Sequence, residues 1–124
     1  GLVGGSSDMR DLENAVAAGD ERAIMTLDVY NYRIKKYIGA YAAAMGGCDI
    51  LVWTGGVGEN QWATRRVVCE NMEYMGMKID VEKNEGMRGE EMVISTPDSK
   101  VTIIVVPTDE EYMIAADTMD ILGK

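Results

Sequence analysis

The strongest signal for the fold of this chain is the stretch Asp49-Ile50-Leu51-Val52-Trp53-Thr54-Gly55-Gly56-Val57-Gly58-Glu59-Asn60. Ile50 to Thr54 is predicted to form a short strand, and its consecutive apolar positions fit a parallel strand covered on both faces. Three glycines follow this strand, and a helix is expected to open near Asn60. The stretch therefore predicts a strand-turn-helix unit, the repeating element of α/β folds.

The glycine turn, Gly55 to Asn60, is a candidate phosphate site. Missing Cβ atoms allow a ligand close to the backbone N–H groups, and a helix start adds partial positive charge. An ordinary strand-to-helix turn explains the local sequence equally well. Two familiar phosphate motifs are excluded, because Gly56-x-Gly58-x-x-Gln61 lacks the third glycine of the dinucleotide motif and no Gly-Lys-Ser/Thr follows.

Composition limits the classes of function. With 124 residues, 47% hydrophobic and 27% charged, we expect one α/β domain spanning 1–124 of a cytoplasmic protein. A net charge of −9 argues against nucleic-acid partners, and no apolar run approaches the roughly 20 residues of a membrane span. The chain has no histidine, which removes the commonest general base and metal ligand.

Two further observations concern the cysteines and the first residue. Cys48 and Cys69 are expected to be reduced core thiols, because no disulfide framework or metal-ligand spacing is visible. The sequence opens on Gly1 instead of methionine, so we expect a piece of a longer protein.

Two helices are predicted before the central strand. The first runs from about Met9 to Ala18 and is stopped by Gly19, and the second runs from Asp20 to Met45. At 1.5 Å per residue the second helix would be roughly 39 Å long, which suggests a partner surface in addition to the domain core. The alternative to a partner surface is that the small residues of this helix pack on the sheet of the same domain.

After the glycine turn, periodicity and turn residues predict a helix, a short edge strand, a charged loop, a hairpin and a final helix. The second hairpin strand is continuously apolar, as a central strand should be. The elements are, in order, Gln61 to Tyr74, Met77 to Asp80, Glu82 to Gly89, Met92 to Ser95 paired with Val101 to Val106, and Glu110 to Leu122.

Two other segments could carry chemistry. In Asp8-Met9-Arg10, the aspartate can accept hydrogen bonds from a ribose diol while the arginine stacks on a purine, although helix capping by Asp8 and a solvated Arg10 explain the same residues. In Thr108-Asp109-Glu110-Glu111, carboxylates at a helix start can hold Mg²⁺, although a capped helix N-terminus is the simpler explanation.

Several motifs together resemble one family. Their order closely resembles the C-terminal part of acetate kinases, in the superfamily of acetate and sugar kinases, heat-shock proteins and actin. The resemblance covers essentially the whole chain and implies a ribonuclease H-like or actin-like ATPase half-domain, a mixed sheet with flanking helices. The motifs are Ser6-Ser7-Asp8-Met9-Arg10-Asp11, Tyr37-Ile38-Gly39-Ala40-Tyr41, Thr54 to Asn60, Ile94 to Lys100, and Val106-Pro107-Thr108-Asp109-Glu110-Glu111.

The resemblance implies roles for nine residues. Asp8 and Arg10 match a nucleotide segment where they flank ribose and adenine, and Glu110 matches a magnesium-associated glutamate, with Asp109 and Glu111 as the open alternatives. The nine residues are, for the nucleotide, Asp8, Met9, Arg10, Gly56, Val57, Gly58, Glu59 and Asn60, and, for the metal, Glu110.

The resemblance also implies an activity and partners. Acetate kinases transfer the γ-phosphoryl group of ATP to acetate with Mg²⁺, reversibly, and work as homodimers. The family's phosphate-clamping arginines, catalytic histidine and acetate pocket come from segments upstream of the matching region, so no catalytic residue is expected here. We therefore expect the chain to be inactive without that upstream half. The acyl substrate stays open between acetate, propionate and butyrate, and a non-catalytic self-association domain is the alternative from another class.

Overall fold

The structure is a computed structural model that describes residues 9–108. The predicted α/β fold, a mixed sheet with flanking helices, is confirmed. In chain order the elements are α1 (Met9–Ala17), α2 (Glu21–Met45), β1 (Ile50–Trp53), α3 (Gly55–Asn60), α4 (Trp62–Cys69), a 3₁₀ helix (Glu73–Met75), α5 (Val81–Asn84), β2 (Met92–Val93) and β3 (Thr102–Val105).

The sheet has the strand order β1-β3-β2. β1 pairs with β3 in parallel, with Ile50 opposite Thr102 and Trp53 opposite Val105, whereas β2 pairs with β3 antiparallel. The apolar second strand of the predicted hairpin is therefore central, as expected. Because β1 and β3 are parallel, their carboxyl ends lie at the same edge of the sheet.

One face of the sheet forms the core, and the other is open in the described part of the chain. α2 and α4 pack together, and α2 adds Ile34 and Ile38 to the core. On the opposite face Ile50 is 59% exposed and Val52 is 49% exposed. The prediction that this strand is covered on both faces is thus wrong for residues 9–108. The core residues are Trp53, Val68, Cys69, Met72, Met77, Met87, Ile94, Val101, Ile103 and Val105.

The long helix has the predicted extent. The Asp20 carboxylate accepts hydrogen bonds from the N–H groups of Arg22 (3.0 Å) and Ala23 (3.2 Å), which caps its start. Gly46, with φ of 79°, ends it in the left-handed conformation that glycine adopts without strain. Large apolar side chains remain exposed along this helix, among them Met25, Tyr32, Tyr37, Tyr41 and Met45.

The glycine turn and the helix after it differ from the prediction. The residues expected to form a turn are themselves a short helix, α3, which begins at Gly55 instead of near Asn60. The chain then breaks at Gln61, with φ of −96° and ψ of 72°, before α4. α4 ends at Cys69 instead of Tyr74, because Glu70 is extended, with ψ of 136°, and Asn71 after it has a φ of 59°. Asparagine enters the left-handed region more readily than most residues, so a helix does not pass through this position.

Two predictions between α4 and the hairpin also need correction. The predicted edge strand Met77 to Asp80 is reduced to one bridge, between Ile79 and Ser95. The predicted loop Glu82 to Gly89 begins as a helix, α5, because the Asp80 carboxylate accepts a hydrogen bond from the N–H of Lys83 at 3.2 Å. An aspartate cap followed by helix-compatible residues is enough to start a turn of helix.

Three predictions remain to be placed. The final helix, Glu110 to Leu122, and the predicted helix cap Asp8 lie outside the described residues. Both cysteines are free; Cys69 is buried in the core as predicted, and Cys48 is half-buried at its margin. Over residues 9–108, no helix combines the length and the apolar character needed to cross a bilayer.

Candidate functional site

The carboxyl ends of β1 and β3 meet, as the sequence predicts. The Trp53 carbonyl accepts a hydrogen bond from the N–H of Val106 at 2.9 Å, and the Thr54 hydroxyl donates to the Val106 carbonyl at 2.7 Å. Further along, the Thr108 hydroxyl donates to a carboxylate oxygen of Glu59 at 3.4 Å. In open α/β sheets ligands bind at this edge. The segment Gly55–Asn60 and residues 106–108 thus form one candidate site.

The three glycines of this segment have different reasons to be glycine. Gly55 has a φ of +74°, which disfavours any side chain. A Cβ at Gly58 would lie 3.0 Å from the carbonyl carbon of Trp53, so a close contact between helix and strand requires glycine there. A Cβ at Gly56 would meet no atom within 4 Å. The space at Gly56 is therefore open, which is what close approach of a ligand to the backbone requires.

Carbonyls at the end of α3 are hydrogen-bonded to groups outside the helix. Those of a helix's last turn lack partners within the helix. Here the Val57 carbonyl accepts from the N–H of Gln61 (2.9 Å), and the Glu59 carbonyl accepts from the N–H of Gly89 (3.1 Å). The Asn60 side chain also turns inward, because its amide donates to the Gly56 carbonyl at 3.0 Å. The amide oxygen of Asn60 and the second hydrogen of its amide nitrogen are therefore the groups left for the predicted ligand contact.

Arg65 is a functional candidate that the sequence reasoning missed. Its guanidinium is fully buried, at 0% exposure, and donates to the carbonyls of Gly58 (2.8 Å) and Met87 (2.6 Å) and to the amide oxygen of Asn84 (2.8 Å). Burial, followed by repulsion from Arg88, lowers the pKa of Arg65. The signal was present in the sequence: an arginine stands at the first position of an i, i+3, i+4, i+7 pattern whose other members are Val68, Cys69 and Met72.

The other predicted site residues are placed only in part. Met9 and Arg10 begin α1, which packs against α2, with Met9 half-buried and Arg10 exposed. Asp8, Glu110 and its alternatives lie outside the described residues. The structure thus brings Gly56 to Asn60 together with Thr108, while the participation of Asp8, Met9, Arg10 and Glu110 stays a prediction.

A metal site is not formed by the described residues alone. Within 9–108 no group of three or more aspartate, glutamate, cysteine or histidine residues is close enough to hold an ion. Glu59 is a carboxylate at the candidate site, and it faces Thr108, the last described residue. Any cation there would need oxygen ligands from elsewhere.

Comparison with known proteins identifies the family. The model of the acetokinase family matches residues 1–116. The chain is 90% identical over 124 residues to the acetate kinase of Parabacteroides distasonis, and it covers 31% of that protein. It therefore spans about a third of the length of the curated relatives it matches.

Solved structures agree in fold. The crystal structure of Porphyromonas gingivalis acetate kinase superposes with a TM-score of 0.90 at 66% identity, over 98% of this chain and 30% of that one. A propionate kinase from Francisella tularensis superposes with a TM-score of 0.78 at 34% identity, over 93% of this chain and 29% of that one. Together with the family match over almost its whole length, these similarities show that the chain belongs to the acetokinase family.

Proposed function

We propose that this chain is the nucleotide-binding, C-terminal part of an acetate kinase, which transfers the γ-phosphoryl group of ATP to acetate. One observation carries the proposal. In the described part of the chain, the glycine-containing helix α3 lies at the carboxyl ends of the parallel strands, and the space beside its Gly56 is open. The match to the acetokinase family supports the choice of ligand. The nucleotide lies along Gly56 to Asn60, with Asp8, Met9 and Arg10 on its ribose and adenine side.

We further propose that Glu110 holds the magnesium ion that this activity implies. Mg²⁺ prefers oxygen ligands and is usually held by one or two carboxylates together with phosphates and water. In the proposed arrangement Glu110 holds the ion, two residues beyond Thr108, whose hydroxyl contacts Glu59. When bound, the ion would neutralise phosphate charge during transfer.

The activity requires parts that this chain does not supply. Phosphoryl transfer depends on charge neutralisation from several sides, and the described site presents only the free N–H groups at the start of α3 and a single carboxylate, Glu59. We infer that an upstream half completes the enzyme, that the whole acts in the cytoplasm, and that the 124-residue chain alone makes no acetyl phosphate. An acetyl phosphate assay on the isolated chain tests this, and turnover near that of an intact acetate kinase would refute it.

Nucleotide binding is tested in a grafted enzyme, in which residues 1–124 replace the matching segment of Parabacteroides distasonis acetate kinase. Gly56→Ala places a methyl group in the open space, and we expect it to weaken Mg·ADP binding at least tenfold by calorimetry. Gly39→Ala, in α2, is the matched control, because its added Cβ also meets no atom within 4 Å. Equal ADP affinity in Gly56→Ala and the parent would contradict the proposal.

The acyl substrate is a finer question. Acetate is proposed because of the 90% identity to an acetate kinase, and propionate or butyrate is the alternative, since a propionate kinase shares the fold at 34% identity. Comparing kcat/KM for the three acids in an intact enzyme from the same source would decide it. A higher value for propionate or butyrate than for acetate would overturn the choice.

Self-association is a second candidate function, favoured by α2. Its exposed Tyr37 and Tyr41 rings stack with centroids 6.2 Å apart, and Tyr32 and Met45 are also exposed. Exposed apolar surface of this kind marks interfaces. We propose that the protein is a homodimer through this helix. Light scattering should give a dimer mass that Tyr37→Glu with Tyr41→Glu reduces to a monomer, and a parent that stays monomeric at high concentration would contradict the proposal.

A further inference from the structure

Arg65 is an unusual residue to find in the core. Its charged group is removed from water, which is costly unless every N–H finds an acceptor. Among residues 9–108 its hydrogen-bond acceptors are neutral oxygens, two from backbone carbonyls and one from a side-chain amide. An arginine kept in such a place without a carboxylate partner is held for its geometry, since a hydrophobic residue would fill the space at lower cost.

The three acceptors belong to two segments, α3 and residues 84–87. Gly58 is in α3, Met87 is in the loop after α5, and Asn84 is at the end of α5. Asn84 is itself fixed, because its amide donates to the Trp62 carbonyl at 2.9 Å. The planar guanidinium has a fixed fork of donors, so it sets the spacing of the segments that it joins.

The same two segments are joined a second time. The N–H of Gly89 donates to the Glu59 carbonyl at 3.1 Å, one residue beyond the Gly58 carbonyl that Arg65 binds. α3 is therefore held at its end against residues 84–89, while Gly58 holds it against the strand at Trp53. These contacts fix the end of the helix on two sides.

We propose that Arg65 is a positioning residue of the nucleotide site, which fixes the direction of α3, and with it the free N–H groups of Gly56 and Val57 at the helix start, without touching the nucleotide. The inference rests on the proposed function, because it assumes that this segment contacts ATP. Its observable consequence is specific. Loss of Arg65 weakens the nucleotide interaction, whereas the acyl substrate, which binds elsewhere, is unaffected.

The experiment uses the grafted enzyme with Arg65→Met, Arg65→Lys and the control Arg66→Met. Arg66 is the neighbouring arginine of α4 and makes no bond to α3 among the described residues, so its loss removes the same charge without releasing Gly58. We expect the KM for ATP to rise about tenfold in Arg65→Met, and by a similar factor in Arg65→Lys, which cannot reach three acceptors. The KM for acetate should stay within twofold, as should both constants in Arg66→Met.

A purely structural role predicts a different pattern. It would lower the folded fraction, and therefore kcat, while leaving both KM values unchanged. That result, or an equal rise in both KM values, overturns the positioning role. If Arg65→Met does not fold, Asn84→Ala tests the same interaction by removing one of the three acceptors of the Arg65 guanidinium. The KM for ATP should then rise about threefold, and an unchanged value refutes the proposal.

The test also separates this inference from the proposed function. If Gly56→Ala weakens ADP binding and the Arg65 variants keep the parent KM for ATP, only the positioning role fails. If Gly56→Ala binds ADP like the parent, the nucleotide segment itself is wrong, and the role of Arg65 fails with it.

Discussion

Replacing Gly58 with alanine tests the close contact between α3 and β1. The added Cβ would lie 3.0 Å from the Trp53 carbonyl carbon and 3.4 Å from its Cα, closer than carbon atoms normally pack. The strand cannot yield easily, because the Trp53 carbonyl is bonded to the N–H of Val106 and its indole is buried. Either the helix or the strand must therefore shift by a few tenths of an ångström.

The expected cost follows from two opposing effects. Overpacking of this kind costs about 1–3 kcal/mol. Alanine in place of a helical glycine returns roughly 0.5–1 kcal/mol, because the unfolded chain loses backbone freedom. We expect Gly58→Ala to reduce the free energy of unfolding by about 1–2 kcal/mol. For a chain of this length that lowers the Tm by roughly 4–8 °C.

Gly56→Ala is the matched control in the same helix. Its Cβ would meet nothing within 4 Å and its φ is not positive, so only the favourable backbone effect remains. We expect a change between zero and about 1 kcal/mol of added stability. Thermal and urea unfolding of the 124-residue chain, followed by circular dichroism, measures both variants. Equal stability of the two would refute the account of why α3 needs glycine at one position and not at the other.

Three further predictions concern the core and the titrating groups. Ile103→Ala, at a fully buried position, should reduce the free energy of unfolding in urea titrations by about 2–5 kcal/mol. Ile50→Ala, on the open face of the sheet, should reduce it by less than about 1.5 kcal/mol, and equal reductions would contradict the assignment of faces. Burial raises the pKa of Cys69 to about 12, so the stability that the protonated thiol gives the fold is complete below pH 9 and is lost as pH rises toward 12. This fall in the unfolding free energy between pH 9 and 12 should be absent from Cys69→Ala. The hydrogen bond from Lys78 lowers the pKa of Asp98 to about 2, so the stabilisation that the ionised Asp98 gives is lost as pH falls from about 4 toward 2. An NMR titration should show this pKa in the parent and its return toward the ordinary range in Lys78→Met. An unchanged pKa in the variant would refute the pairing.

Local patterns in the sequence were enough to predict the two parallel strands and the long helix. The runs Ile50 to Thr54 and Val101 to Val106 are rich in β-branched residues and are followed by glycine or proline, which predicts strands. The structure confirms both strands, and they pair in parallel. Asp20 and Gly46 are strong start and stop signals, and the long helix lies between them as predicted. Since the carboxyl ends of parallel strands share one edge, the location of the candidate site followed from these elements.

What the sequence did not predict depends on distant contacts. Glycine disfavours helix, yet Gly55–Asn60 is helical, because Arg65 and Gly89 hold the carbonyls at its end. Arg65 lies 19 residues from Asn84 and 22 from Met87, and no periodic pattern reports a pairing over such separations. The coverage of the strand is a similar case, since an apolar run does not reveal which segment packs on it.

In the proposed enzyme the ends of β1 and β3, together with the start of α1, surround one magnesium nucleotide. A crystal structure of the grafted enzyme with Mg·ADP tests it most directly. We predict the phosphates within hydrogen-bond distance of backbone N–H groups between Gly56 and Asn60, Arg10 against the adenine ring, and the ion bound through Glu110. A nucleotide bound elsewhere, with these residues on separate surfaces, would contradict the account.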